Sequence, residues 1–229
     1  MIKSTLIARF PKIYSLLANL KTHPNYEKIL YLNYIKRNNT VFDLGANFGY
    51  FTSLFSDIVG KNGFVHAFEP VSLTFRELHK NTIRKKNITF NKMAVGKRLC
   101  KKEIRFTEKD LGKSSIVENV PHSWKKELIN IIPLDNYCDQ NKIKEIDFIK
   151  CDVEGYELDV VQGMGLSLQK HSPQLSIEVT VTGHKRKLLL ELLKELGYKN
   201  FRTIDRYFPK LDEEQYLNTD SYFYLHATT

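Results

Sequence analysis

VFDLGANFGY, residues 41–50, carries an apolar, strand-like run into an acid, two glycines and an asparagine, and then into an aromatic segment of helical character. Asp43, Gly45, Asn47 and Gly49 make a D-x-G-x-N-x-G turn. A glycine at Gly45 reaches positive φ without a Cβ clash and admits another group close to the backbone. Asparagine tolerates left-handed geometry at Asn47, and Gly49 lets helix and strand pack closely. Turns of this shape hold nucleotide-like ligands. This one lacks the G-x-G-x-x-G dinucleotide fingerprint. Its acid ahead of the first glycine would repel a pyrophosphate and suits a cationic ligand.

Outward from this turn, short apolar runs alternate with helical stretches. The runs are TVFDL (40–44), GFVHAFE (63–69), ITFNKMAV (88–95), IDFIKC (146–151) and QLSIEVTV (174–181). Helices are expected from about Tyr50, Ser72, Tyr156 and Lys185. Alternating strand and helix predicts an α/β fold with a parallel sheet covered on both faces. EIRF (103–106) and INIIPL (129–134) read as a small β insertion, and KNFRTID and SYFYLHA as closing strands. Ligands of such sheets bind beyond the carboxyl ends of the strands. That directs attention to 43–49, Glu69, 94–96, 152–155 and 178–184.

Glu69, in FEP, ends the second strand twenty residues after Gly49. A carboxylate there accepts hydrogen bonds from ribose hydroxyls. A ligand with a ribose, no phosphate and a positive charge is S-adenosylmethionine.

VFDLGANFGYFT, VHAFEP, GKSSI, IPLD, IDFIKCDVEGYELDVVQGM and LSIEV follow one another, over residues 41 to about 181, in the order and spacing of the FkbM-type methyltransferases, which the chain resembles. The resemblance implies the class I, Rossmann-like methyltransferase fold: a seven-stranded, mostly parallel sheet with an antiparallel last strand. It also implies O-methylation of hydroxyls on sugars, polyketides and related metabolites. Asp43, Gly45, Ala46, Asn47, Gly49, Glu69, Ala94 and Asp152 would be the cofactor contacts. Residues 1–39 fall outside the shared pattern as an N-terminal helical extension, leaving 40–229 as the methyltransferase domain.

Methyl transfer is an in-line displacement that gains most from alignment. An alcohol attacks well only once its proton is removed or polarised, by a carboxylate or histidine or by a divalent metal. Asp152 and Glu154, in KCDVEGYE, and Glu178, in SIEV, are the candidate acids, with His184 a candidate base that titrates near neutrality. Asp152 and Glu178 are the candidate ligands for a magnesium or manganese ion. Lys150 is positioned to pair with one of these acids, and Tyr156 reads as helix packing. Ser114 and Ser115 are candidates for closing the cofactor pocket, and Trp124 for stacking on a sugar.

The formal net charge is +9, and the first 40 residues hold seven basic side chains against one acid, Glu27. Leu6, Phe10, Ile13, Leu17 and Leu20 form an apolar stripe, and a second helix after Pro24 carries Tyr26, Ile29, Leu30 and Tyr34. These helices are expected to pack on the domain; a peripheral contact with an anionic membrane through residues 1–38 is the second reading. Cys100, Cys138 and Cys151 are odd in number and widely spaced, which points to a reducing, cytoplasmic setting. Lys3, Arg9 and Lys12 interrupt any signal-peptide core, and no run approaches the roughly 18 apolar residues of a spanning helix. The expected acceptor is a small molecule or glycan. An RNA methyltransferase is the alternative, favoured by charge; the chain lacks the N-P-P-Y-type tetrapeptide and the Pro-Cys pair of base-methylating enzymes, so nucleic acid is not the expected partner.

Overall fold

The computed structural model describes residues 25–107, 124–205, 208–218 and 224–229, and the backbone alone of 110–115 and 223. The first N-terminal helix and most of the segment read for membrane contact lie outside the described residues. The second helix, α1 (Tyr26–Tyr34), starts where the Asn25 side chain accepts from the Lys28 amide at 2.7 Å. It buries Ile29, Leu30, Tyr31 and Leu32. Tyr31 meets Phe51, Phe55 and Phe148 edge-on, with ring centroids 5.0–5.7 Å apart. The packing expected of this helix is therefore what the fold contains.

The repeating unit follows: β1 (Thr40–Leu44), α2 (Tyr50–Val59), β2 (Phe64–Phe68), α3 (Ser72–Thr82) and β3 (Ile88–Asn91). After an excursion come α4 (Leu134–Gln140), β8 (Phe148–Cys151), α5 (Glu157–Gln162), α6 (Gly165–His171), β9 (Gln174–Val179) and α7 (Gly183–Glu195). β10 (Asn200–Thr203), α8 (Glu213–Asn218) and β11 (Phe223–Thr228) close the chain. The main sheet has seven strands in the order β10-β11-β9-β8-β1-β2-β3. β11 alone runs against its neighbours β9 and β10. That is the seven-stranded class I arrangement expected above.

Side chains alternate across the central strands, as the pleat requires. Phe42, Leu44, Ile149, Cys151, Leu175 and Ile177 enter one buried cluster with α4–α7. Val41, Val65 and Phe148 enter the other, under α1 and α2. Both faces are thus covered.

The excursion forms a second sheet, in the order β4 (Ala94–Val95), β7 (Lys125–Ile132), β5 (Cys100–Thr107), β6 (Asp110–Ser115). This is the predicted β insertion. The expected single strand over 88–95 is two strands in different sheets, because Lys92 and Met93 turn the chain out of the first before Ala94 pairs with Ile131. Among the described residues no helix is long and apolar enough to cross a membrane.

Candidate active site

A cleft with about 730 Å³ of empty space, part of it open to solvent, lies at the carboxyl ends of β1, β2, β8 and β9. Its first wall is the turn after β1. Gly45 has φ +81°, and a Cβ there would stand 1.8 Å from the Asp152 carbonyl oxygen. The space a side chain would need is thus filled by the turn after β8. Asn47 is left-handed at φ 49°. Gly49 has φ +83°, and its Cβ would press on Leu78 at 2.6 Å, so this glycine seats the turn against α3.

Glu69 ties these parts together and is only 4% exposed. Its Oε1 accepts from the Val71 amide at 3.0 Å and from the Thr74 hydroxyl at 2.6 Å; its Oε2 accepts from the Asn47 amide at 3.0 Å. A carboxylate offers about four accepting positions, so one remains, on Oε2. Burial raises the Glu69 pKa against the opposing effect of those three bonds. Asn47 Oδ1 is buried without a partner in the same cleft.

The second wall is acidic, and sheet register explains it. Asp43, Lys150, Ser176 and His226 are aligned across β1, β8, β9 and β11, on the face beneath α1 and α2. Two residues further along, Glu178 pairs with Tyr224, and Asp152 leaves β8. Lys150, 3% exposed, places its Nζ 2.9 Å from Asp152 Oδ2 and 3.8 Å from Asp43 Oδ1. Thr52 donates to Asp43 Oδ2 at 2.6 Å. Glu178 is hydrogen-bonded to Asp152 and to the Tyr224 hydroxyl. Partial burial, the bond to Asp152 and the charge of Asp152 push the Glu178 carboxyl up to about 8. Burial would raise Asp152 too, but the Lys150 ammonium and the hydrogen bond with Glu178 hold it below the usual carboxylate range. Burial disfavours the Lys150 charge, yet Asp152 and Asp43 raise its pKa. Glu154 follows with φ 51°, a left-handed position that a non-glycine residue occupies at a cost.

Of the predicted residues, Gly45, Asn47, Glu69, Ala94, Asp152, Glu154 and Glu178 line the cleft together. Asp43 is 1% exposed and faces Thr52 and Lys150 rather than the opening. Ala46 packs against Ala67 and Leu78. His184 is exposed in the first turn of α7, and Trp124 is half-buried before β7; neither lines the cleft. The side-chain reading of Ser114 and Ser115 lies outside the described residues. Tyr156 packs against two core clusters, as expected, and also lines the cleft, with Lys102 Nζ 5.0 Å from its ring centroid.

Sequence reasoning missed Glu27 and Tyr224. The Tyr31 hydroxyl donates to Glu27 Oε1 at 2.9 Å and lies 3.2 Å from the Ser176 hydroxyl. Burial raises the Glu27 pKa, opposed by the charge of Lys150. The available signal was that Glu27 is the sole acid in an otherwise basic stretch of 40 residues.

Asp152, Glu154 and Glu178 each offer a carboxylate oxygen, all within 4.8 Å of one another. A divalent cation wants such groups ionised. Here Glu178 keeps its proton up to about 8, and the Lys150 ammonium already stands on Asp152. The Lys150 ammonium on Asp152 already balances part of the trio's charge without an ion.

The profile of the Methyltransferase FkbM domain matches residues 43–200, about two thirds of the chain. The chain belongs to the FkbM methyltransferase family and is an S-adenosylmethionine-dependent methyltransferase. No curated protein matches it significantly. Among solved structures it is similar to a FkbM methyltransferase from Methylobacillus flagellatus KT, with TM-score 0.51, 18% identity, and coverage of 99% of this chain and 60% of that one. The chain thus spans less than two thirds of that protein. A SAM-dependent O-methyltransferase from Thermotoga maritima gives TM-score 0.54, 13% identity, and coverage of 95% and 69%. A putative rRNA methylase from Clostridium thermocellum gives 0.51, 12%, and coverage of 100% and 97%. At these identities the likeness is one of fold.

Proposed function

We propose that this chain transfers a methyl group to a hydroxyl of a sugar, glycan or related small metabolite. The observation that carries the reading is the crowding of Asp152, Glu154 and Glu178 in the cleft, with carboxylate oxygens within 4.8 Å of one another, which together with burial pushes the Glu178 carboxyl up to about 8. A base with a pKa near working pH suits removal of a hydroxyl proton.

S-adenosylmethionine, when bound, supplies an electrophilic methyl carbon on a cationic sulfur. The residues fit it. Glu69 keeps one accepting position for a ribose hydroxyl, and Asn47 Oδ1 is an unpartnered buried acceptor beside it. Asp152, with Lys150 on its Oδ2, would add partly balanced negative charge toward a cationic sulfur. Asp43 acts at one remove, by holding Lys150. Glu178, once ionised, would take the acceptor hydroxyl proton on a carboxylate oxygen, and the bound cofactor would supply the methyl carbon and keep the sulfur as the leaving group. Lys150 fixes Asp152 so that the pair keeps one geometry through transfer. No metal step is needed.

Three unpaired cysteines, Cys138 and Cys151 buried and Cys100 exposed, support a cytoplasmic setting. Peripheral docking on an anionic membrane through the basic N-terminus remains part of the proposal and is tested by sedimentation of the full chain with anionic vesicles at low salt. Labelled methyl transfer to sugars, nucleotide-sugars, glycans and RNA tests the acceptor. Transfer to RNA alone would replace the reading with that of an RNA methyltransferase.

A further inference from the structure

A second groove, with about 840 Å³ of empty space, opens where β10 ends and β11 begins. β10 runs parallel to the central strands and β11 runs against them, so both ends meet at the edge of the sheet that holds the cleft. The outer wall forms because residues 208–211 fold back along β10. Thr203 donates its amide to the Pro209 carbonyl at 3.0 Å, Leu211 donates to Phe201 at 2.9 Å, and Arg202 bridges to Lys210. Thr203, Asp205, Lys210, Asp212, Gln215 and Tyr224 line the groove. They lie beyond residues 43–200, where the family profile matches.

Tyr224 joins the two sites. It lines the groove, it faces Glu178 in register, and its hydroxyl is bonded to the Glu178 carboxyl in the cleft. The lining combines hydroxyl, carboxylate, amide and ammonium groups with a single aromatic ring. That set suits a polyhydroxylated ring, whose hydroxyls need both donors and acceptors and whose apolar face packs on an aromatic side chain. Two carboxylates against one ammonium make it a poor site for a phosphodiester. β10 is two strands from β9, which at the usual strand spacing places the end of β10 roughly 10 Å from Glu178. A single sugar ring does not reach across both.

We propose that this groove is an acceptor subsite that holds a neutral glycosyl unit adjacent to the one being methylated, so that the acceptor is a disaccharide or longer. The proposal rests on the sugar reading above. It is tested by labelled methyl transfer from S-adenosylmethionine to methyl glucoside, galactoside and mannoside, to the matching neutral disaccharides, and to a short RNA. Each is assayed with the wild-type chain, with Lys210→Ala combined with Gln215→Ala, and separately with Asp205→Asn.

The wild type is expected to favour a disaccharide at least tenfold in kcat/KM. The variants are expected to cut that preference several-fold or abolish it, with S-adenosylmethionine affinity, measured by calorimetry, retained as the check on folding. Sugar methylation with no length preference, or a preference that survives in all variants, overturns the subsite and leaves the sugar reading standing. Transfer only to RNA, or to no member of the panel, overturns both.

Discussion

The pH dependence of turnover is the most direct consequence of the acidic wall. Glu178 holds its proton from the ordinary glutamate value of 4.5 up to about 8, so the form that accepts a proton appears only as pH rises through that value. With one ionisation at 8, the basic fraction is about 9% at pH 7, about 50% at pH 8 and about 90% at pH 9. The rate constant kcat/KM should therefore rise about tenfold between pH 7 and 9 and then level. The assay is the initial rate of labelled methyl transfer at sub-saturating acceptor. Glu178→Gln should lower the rate about 100-fold or more and flatten the profile. Lys150→Met should weaken the hold on Asp152 and move the midpoint. The same shift bears on folding. A carboxyl raised in the folded state contributes stability that is full below 4.5 and lost as pH rises through about 8, so most of the loss in the free enzyme should precede the climb in activity and only its end should overlap it. A wild-type rate that is level from pH 7 to 9, or a Glu178→Gln profile that still rises, would refute the assignment of Glu178 as base.

Asp152→Asn keeps the shape and removes the charge; turnover should fall about 100-fold or more, while calorimetry should show a much smaller change in S-adenosylmethionine affinity, and near wild-type turnover would remove Asp152 from the chemistry. Glu69→Ala should weaken cofactor binding by about 10- to 100-fold, the worth of one charge-assisted hydrogen bond, and an unchanged Kd would take Glu69 out of the site. Gly45→Ala drives a Cβ into the Asp152 carbonyl at a position with φ +81° and should cost about 2–4 kcal/mol, a drop of several degrees in Tm; a variant with native Tm and native cofactor affinity would show that the turn relaxes freely. Exhaustive chelation should leave turnover unchanged, since the Lys150 ammonium already stands on Asp152 Oδ2; loss of activity restored by magnesium or manganese would reverse that conclusion.

The turn after β1 was legible because its determinants are local. Gly45, Asn47 and Gly49 each need a backbone geometry that few residues adopt, and all three have positive φ. Glu69 was found because a strand end followed by a proline is a visible place, although its three internal hydrogen bonds were not visible. The sheet was legible from alternation, except where Lys92 and Met93 divide one apolar run between two sheets. The short helices α4, α6 and α8 were not anticipated. Each has six or seven residues, too few turns to show a helical period.

The acidic wall was legible in part: Asp152, Glu154 and Glu178 were named from the sequence and line the cleft, but the groups that border them meet only through register. Glu27 and Glu178 are separated by most of the chain, yet both border Lys150 and Asp152, one carried by α1 through Tyr31 and the other by the fifth strand of the sheet. Tyr224 reaches Glu178 only because β11 runs backwards, which aligns residue 224 with residue 178 rather than leaving it at the far edge. His184 illustrates the converse. It follows Glu178 closely in sequence, but the turn into α7 carries it to solvent. Nearness along the chain therefore did not bring His184 to the cleft, and a strand that no local pattern marks as functional supplied the partner of Glu178. Because Tyr224 lies outside the span shared with the family, and Glu27 does too, acceptor preference in this chain should vary with α1 and the β10–β11 segment while cofactor binding does not. Exchanging those two segments for the corresponding parts of another FkbM methyltransferase should change which hydroxyl compound is methylated and leave the Kd for S-adenosylmethionine within about threefold, a difference of under 1 kcal/mol. A chimera that keeps the original acceptor would place specificity in the second sheet instead.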